Sequence, residues 1–309
     1  MKSPGVRHPA PGPLVSVFLL AVLGACGGDS AATTVPGAST SAPPSTSVAT
    51  TSTSAAPTTS VATTPTRPED VLSVVVSRYG LMGWWDGEWV VPEGLSDVPV
   101  EGGERYQVVM LDQPQSNAIG SSARLCEPSQ TPVLDLDPPL AGEFGDVGAI
   151  AVLSNWELRP SPVTVVGELI QEHRDAVLGV LEPLGILSEP EVYQQLVVDL
   201  EGDGTQEVII VVKQVAGDLF AQPGDYSVVL LRKVVEGEWQ TAVLETSLAQ
   251  PDSPYILSHS VSAVADLNGD GKMEIAIDAV YYEGSGSVAY EYVDNDIGAQ
   301  AVLNGGCGA

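Results

Sequence analysis

Two short segments of this chain carry the residue types and spacing of a cation-binding turn. The first runs Asp199-Leu200-Glu201-Gly202-Asp203-Gly204-Thr205-Gln206-Glu207 and the second Asp266-Leu267-Asn268-Gly269-Asp270-Gly271-Lys272-Met273-Glu274. Calcium takes about six to eight hard oxygen ligands at roughly 2.3–2.6 Å. Side chains at alternate places of a tight loop point to one side, so places one, three and five converge on one centre. A glycine at place six lets the backbone turn sharply, and the carbonyl at place seven adds another oxygen. A carboxylate at place nine closes the cage. The candidate ligands are therefore Asp199, Glu201, Asp203, the Thr205 carbonyl and Glu207 in the first loop. In the second they are Asp266, Asn268, Asp270, the Lys272 carbonyl and Glu274, for one or two Ca2+ ions in all. Glu201 is longer than the Asp or Asn expected at place three and crowds its site. The competing reading is a solvated acidic turn. An EF-hand is disfavoured, because both flanks read as strands and Ile210 and Ile277 stand where a twelfth-place glutamate belongs.

Other chemistry is sparse. After the N-terminal segment the histidines are His173 and His259, and neither lies in a His-Glu-x-x-His context or beside a nucleophile elbow. Gly284-Ser285-Gly286-Ser287 lacks the Gly-x-Ser-x-Gly spacing and reads as a hairpin turn. No catalytic residue is assigned. Trp84, Trp85 and Trp89 form a possible contact patch for a sugar, with core packing the favoured reading.

The elements that must position the loops are strands. Runs rich in Val, Ile, Leu and Tyr, bounded by Gly, Pro, Asp and Asn, predict a mainly β, antiparallel architecture. Val208–Val215, Tyr226–Val235 and Trp239–Leu244 follow the first loop; Ile275–Tyr282, Val288–Val293 and Ala299–Leu303 follow the second. Upstream, residues 68–190 read as a β-rich region containing one amphipathic helix. Val166, Leu169, Ile170, His173, Val177, Leu178 and Leu181 recur at three and four, which predicts a helix over about 164–182 closed by Pro183 and Gly185. His173 lies on its apolar stripe and reads as packed rather than catalytic.

The loops and their flanking strands resemble the FG-GAP/VCBS-type repeats of integrin-alpha-like β-propellers. The resemblance covers roughly residues 193–244 and 255–303. It implies two four-stranded antiparallel blades over 191–309, with each loop joining a blade's first two strands. The helix and the chain length argue against a complete propeller, so two blade-like sheets beside an N-terminal β region are expected.

The N-terminal residues read as an address. Lys2, Arg7 and His8 precede an apolar run from Leu14 to Leu23, too short for a span of about 20 residues. Leu23-Gly24-Ala25-Cys26 resembles the bacterial lipobox, which implies cleavage before Cys26 and its acylation (a diacyl anchor, with palmitate among the usual chains). Residues 26–67 are a Ser/Thr/Ala/Pro-rich tether, uncharged and without aromatics from Ser30 to Thr66, that buries too little to fold. The expected location is a cell membrane, lipid-anchored and facing the extracytoplasmic side. Of three cysteines, removing Cys26 leaves Cys126 and Cys307 as an expected disulfide pair.

The formal net charge of −28 argues against nucleic acid and anionic lipid as partners. The expected function is a calcium-stabilised, non-enzymatic interaction domain that meets an envelope glycan or protein. The alternative is an extracytoplasmic hydrolase acting on envelope polymers.

Overall fold

The computed structural model describes residues 72–140, 148–215, 221–250, 255–292 and 297–308. All of them fall within one unit, Ala62–Ala309. The signal-like segment, Cys26 and the tether lie outside the described residues. The protein is mainly β, as its sequence leads one to expect.

The chain opens with β1 (Ser73–Ser77), β2 (Gly80–Trp85), β3 (Trp89–Val90), β4 (Arg105–Val109) and β5 (Ser116–Gly120). Four shorter strands follow: β6 (Arg124–Cys126), β7 (Thr131–Val133), β8 (Leu136–Asp137) and β9 (Ile150–Leu153). After β10 (Thr164–Val165) comes the helix α1 (Gln171–Leu181). The remainder is two meanders. The first is β11 (Val192–Val198), β12 (Glu207–Gln214), β13 (Tyr226–Val235) and β14 (Glu238–Leu248). The second is β15 (Ser258–Ala265), β16 (Glu274–Tyr281), β17 (Gly284–Tyr292) and β18 (Ala299–Gly308).

Each meander forms its own antiparallel sheet in simple up-and-down order, with β10 added to the outer edge of the first. The N-terminal strands form a seven-stranded sheet in the order β3-β2-β1-β9-β4-β5-β8, and β6 pairs with β7.

The apolar residues show how these sheets stack. On β12, Ile209 and Val211 face Val261, Val264, Ile275 and Ile277 of the second meander. The alternate residues Val208, Ile210 and Val212 face the opposite way, onto Val177 and Leu181 of the helix. The second meander turns Ala263, Ala265, Ala276 and Ala289 to its other side, against Val75, Met82, Val109, Ile150 and Val152 of the N-terminal sheet. The order of layers is helix, first meander, second meander, N-terminal sheet. Central strands buried on both faces read as continuous apolar runs rather than as alternation, which is why Val208-Ile209-Ile210-Val211-Val212 is unbroken. Gln194 locks the two meanders together: its amide nitrogen donates to the Val261 carbonyl at 3.0 Å, and its amide oxygen accepts from the Val261 N–H at 2.8 Å. β15 is the edge strand of its sheet, so these Val261 backbone groups face outward, beside a bulge between Val261 and Ala263.

Two expectations are corrected. The helix begins at Gln171, not near 164, because Thr164 and Val165 pair with Val197 and Leu196 and continue the sheet. Its end is as expected, with Gly185 in the left-handed region at φ 82°. Gly284–Ser287 is not a turn but the start of β17; the reversal is made by Tyr282 and Glu283, and Tyr281 pairs with Gly284. Trp84 follows the core-packing reading: it is 5% exposed and packs with Val74, Tyr106 and Leu134.

Candidate metal centre

Both acidic loops join the first two strands of a meander, β11 to β12 and β15 to β16. They fold alike. At place one, Asp199 Oδ2 accepts from the Gly204 N–H at 2.9 Å, and Asp266 Oδ2 accepts from the Gly271 N–H at 3.0 Å. At place five, Asp203 and Asp270 accept from the N–H groups of Thr205 and Lys272, at 2.6 and 2.9 Å. At place nine, Glu207 and Glu274 reach back to the N–H groups of Leu200 and Leu267, at 2.8 and 2.6 Å. The turn requires positive φ at places four and six, which Gly202 and Gly204 (70° and 89°) and Gly269 and Gly271 (76° and 89°) supply without strain. Leu200 and Leu267, at place two, point into the interlayer cores and anchor each turn from below.

The loops are neighbours: the Met273 N–H donates to the Leu200 carbonyl at 2.9 Å. Their surroundings differ. Trp156 lies under the second loop, its indole N–H donating to the Asp266 carbonyl at 2.9 Å and its ring filling the space where a Cβ on Gly269 would go. The Asp266 N–H donates to the Leu158 carbonyl at 2.8 Å. Gln107 of the N-terminal sheet donates to the Trp156 carbonyl at 3.2 Å, so that sheet braces the loop. Asp266, Asn268 and Glu274 are consequently buried. In the first loop only Glu207 among the five candidate ligands is buried.

Burying carboxylates that face one another raises the cost of ionising them. Burial, joined by the nearby Asp266, Asp270 and Glu291 charges, holds Glu274 well above the usual carboxylate range. Burial pushes Asp266 up to about 6 and Glu207 up to about 7. Glu207 Oε1 is buried with no hydrogen-bond partner. A cation with hard-oxygen preference relieves all three conditions, and the donor set of the second loop consists wholly of such oxygens. As they stand, however, the carboxylates are turned to backbone N–H groups. Among the described residues no three His, Cys, Asp or Glu side chains are gathered closely enough to enclose an ion.

The remaining candidates are placed as follows. Trp85 and Trp89 are half-buried and meet edge to face at 4.8 Å, with Trp89 packed against the interlayer core. Aromatic surface is offered instead by Tyr255 and Tyr282, stacked at 4.9 Å. Cys126 and Cys307 are paired, with Cα atoms 6.0 Å apart. His173 is buried against Trp239 and Arg232 on the helix's inner face. His259 Nδ1 lies 3.2 Å from Ser227 Oγ, and Nε2 lies 3.8 Å from Glu245. That trio has the residue types of a hydrolytic triad. Ser227 is fully buried between the meanders, however, and its oxygen accepts from the His259 backbone N–H at 2.9 Å. It joins layers rather than facing a substrate. Sequence reasoning missed Trp156, Lys233 and Glu291, the residues nearest the loops, since each comes from a distant strand or connection.

No protein-family model, no curated protein and no solved structure matches this chain. Among the described residues no helix is long and apolar enough to cross a membrane.

Proposed function

We propose that this chain is a membrane-anchored extracytoplasmic lipoprotein whose layered β domain is stabilised by calcium at its paired loops and binds an envelope glycan or protein. The observation that carries the calcium reading is the repeated turn. Two loops that share their residues at places one, two, four, five, six and nine adopt the same pattern of place-one, place-five and place-nine hydrogen bonds at the same point in two meanders. A chain so acidic gains further from bound divalent charge. The ligands for one or two ions would be Asp199, Glu201, Asp203, Glu207 and the Thr205 carbonyl in the first loop, and Asp266, Asn268, Asp270, Glu274 and the Lys272 carbonyl in the second. The metal would supply rigidity, not catalysis. The anchor reading rests on the Leu23-Gly24-Ala25-Cys26 motif alone, and the partner reading on the resemblance to interaction repeats.

The test is a calcium titration of the chelator-stripped full chain in detergent, following heat and melting temperature. Calcium at about 100 times its Kd should add roughly 2.7 kcal/mol of stability per occupied site, and Asp270→Ala should lose the second loop's share. No heat and no shift would leave the loops as acidic turns. Independently, Cys26→Ser should move the protein from the membrane fraction to the soluble one.

A further inference from the structure

The two loops are alike in fold and opposite in the charge placed against them. Val208, the residue after place nine, pairs with Arg232; Ile275, its counterpart, pairs with Tyr290. The next cross-strand neighbours of the place-nine glutamates are therefore Lys233, for Glu207, and Glu291, for Glu274. In the first loop Lys233 Nζ reaches the place-three carboxylate, Glu201 Oε2, at 2.9 Å. Both side chains are largely out of water, at 9% and 14% exposure, and the ammonium also sits 4.3 Å from the ring centroid of Tyr292. A positive charge thus stands against the place-three carboxylate of the first loop. In the second loop no lysine holds that register position. Glu291 Oε1 accepts from Asn268 Nδ2 at 3.2 Å, and Glu291 faces the buried Glu274 across the ladder. Like charges directly opposite on antiparallel strands are destabilising, so this pairing calls for a cation between them.

We infer that the loops are unequal: the second takes the divalent cation, with Glu291 as an additional ligand, and in the first the Lys233 ammonium replaces the metal. This rests on the calcium reading above and deepens it. The long Glu201, which crowds a metal site, is accounted for by its reach to Lys233. The carboxylates of the first loop are partly neutralised from within by Lys233, whereas no lysine stands at the matching register position beside Asp266, Asp270, Glu274 and Glu291. Loss of the ammonium would free Glu201 Oε2 for a second ion, and Glu207 Oε1, buried and unpartnered, would stand ready as a further ligand.

Isothermal titration of calcium chloride into the stripped full chain tests this, with melting curves to confirm that each variant folds. The expected stoichiometry is one. Asp270→Ala should remove that site and Asp203→Ala should leave it unchanged. Glu291→Gln should weaken binding roughly tenfold or more, and Lys233→Met should raise the stoichiometry to two. Two sites in the unaltered chain, or loss of the site in Asp203→Ala, would overturn the inequality while leaving the calcium reading intact. No binding by the unaltered chain or by Lys233→Met would overturn the calcium reading and the inequality together.

Discussion

His259 is enclosed between the meanders, where burial, reinforced by the Lys213 charge, depresses its pKa to about 4. Lys213 itself is lowered to about 8 by burial and donates to the His259 carbonyl at 3.3 Å. The folded chain therefore keeps His259 neutral where the unfolded chain, titrating near 6.5, takes up a proton. Folding stability contributed by this residue is present above about 6.5 and is lost as pH falls towards about 4. Between pH 7.5 and 5 the loss is on the order of 2 kcal/mol. Glu207 and Asp266 act with the opposite sign over the same range: their folded pKa values are raised, so they lose stability as pH rises. The useful quantity is therefore a difference between proteins. In chelator, His259→Gln should lose about 2 kcal/mol less than the unaltered chain on going from pH 7.5 to 5, measured by urea unfolding. Equal losses would mean that His259 is not held neutral.

At the scale of elements, stacking sheets bring backbone against backbone, and glycine decides where that can happen. A Cβ on Gly305 of β18 would lie 2.3 Å from the Leu81 carbonyl oxygen and 2.9 Å from Met82 Cα of β2. Backbone cannot move aside as a flexible side chain can, so Gly305→Ala should cost about 1–3 kcal/mol. Gly179 makes the opposite prediction. It lies on the exposed side of α1 with nothing within 4 Å of a would-be Cβ, and an alanine there should stabilise by about 0.5–1 kcal/mol. Urea midpoints of the two variants should move in opposite directions; a shared direction would contradict the packing described for β18. The same close approach explains why Gly284–Ser287 reads as a turn in sequence yet is strand: its glycines serve inter-strand contact, with Gly286 against Gly305, not chain reversal. The helix start was misplaced for a related reason. Val166 satisfies helical spacing with Leu169 and Ile170, but an open sheet edge at β11 offered Thr164 and Val165 backbone partners first.

For the whole molecule, the C-terminal strand is tied to the N-terminal region. Cys307 on β18 pairs with Cys126, 181 residues earlier. Thr131, beside that cysteine, donates its hydroxyl to the Gly306 carbonyl at 2.6 Å. Closing a loop of this length removes about 5 kcal/mol of unfolded-state entropy in the chain-entropy model. Cys126→Ser with Cys307→Ser should lower the unfolding free energy by up to that amount, read from guanidinium melts in chelator. Little change would mean that the β2–β18 interface alone holds the C-terminus. The Asp278–Arg78 contact spans the same junction between the second meander and the N-terminal sheet, at 3.7 Å and almost wholly buried.

Local patterns settled the class of the fold, the ladder of both meanders, the place of the acidic turns between their first two strands, and the helix C-terminus. These depend on near neighbours in the chain: β-branched runs, glycine at places four and six, a carboxylate at place nine. The cysteine count likewise anticipated the Cys126–Cys307 pairing. Which sheet faces which was not legible, because strands such as β12 and β16 are apolar along most of both sides and so carry no mark of their partner. Nor was the difference between the loops. Lys233 and Glu291 stand well downstream of the residues they face, in a register fixed only when β12 pairs with β13 and β16 with β17, and Trp156 reaches the second loop from outside both meanders. Short-range spacing specifies the turn; long-range pairing supplies the charge set against it.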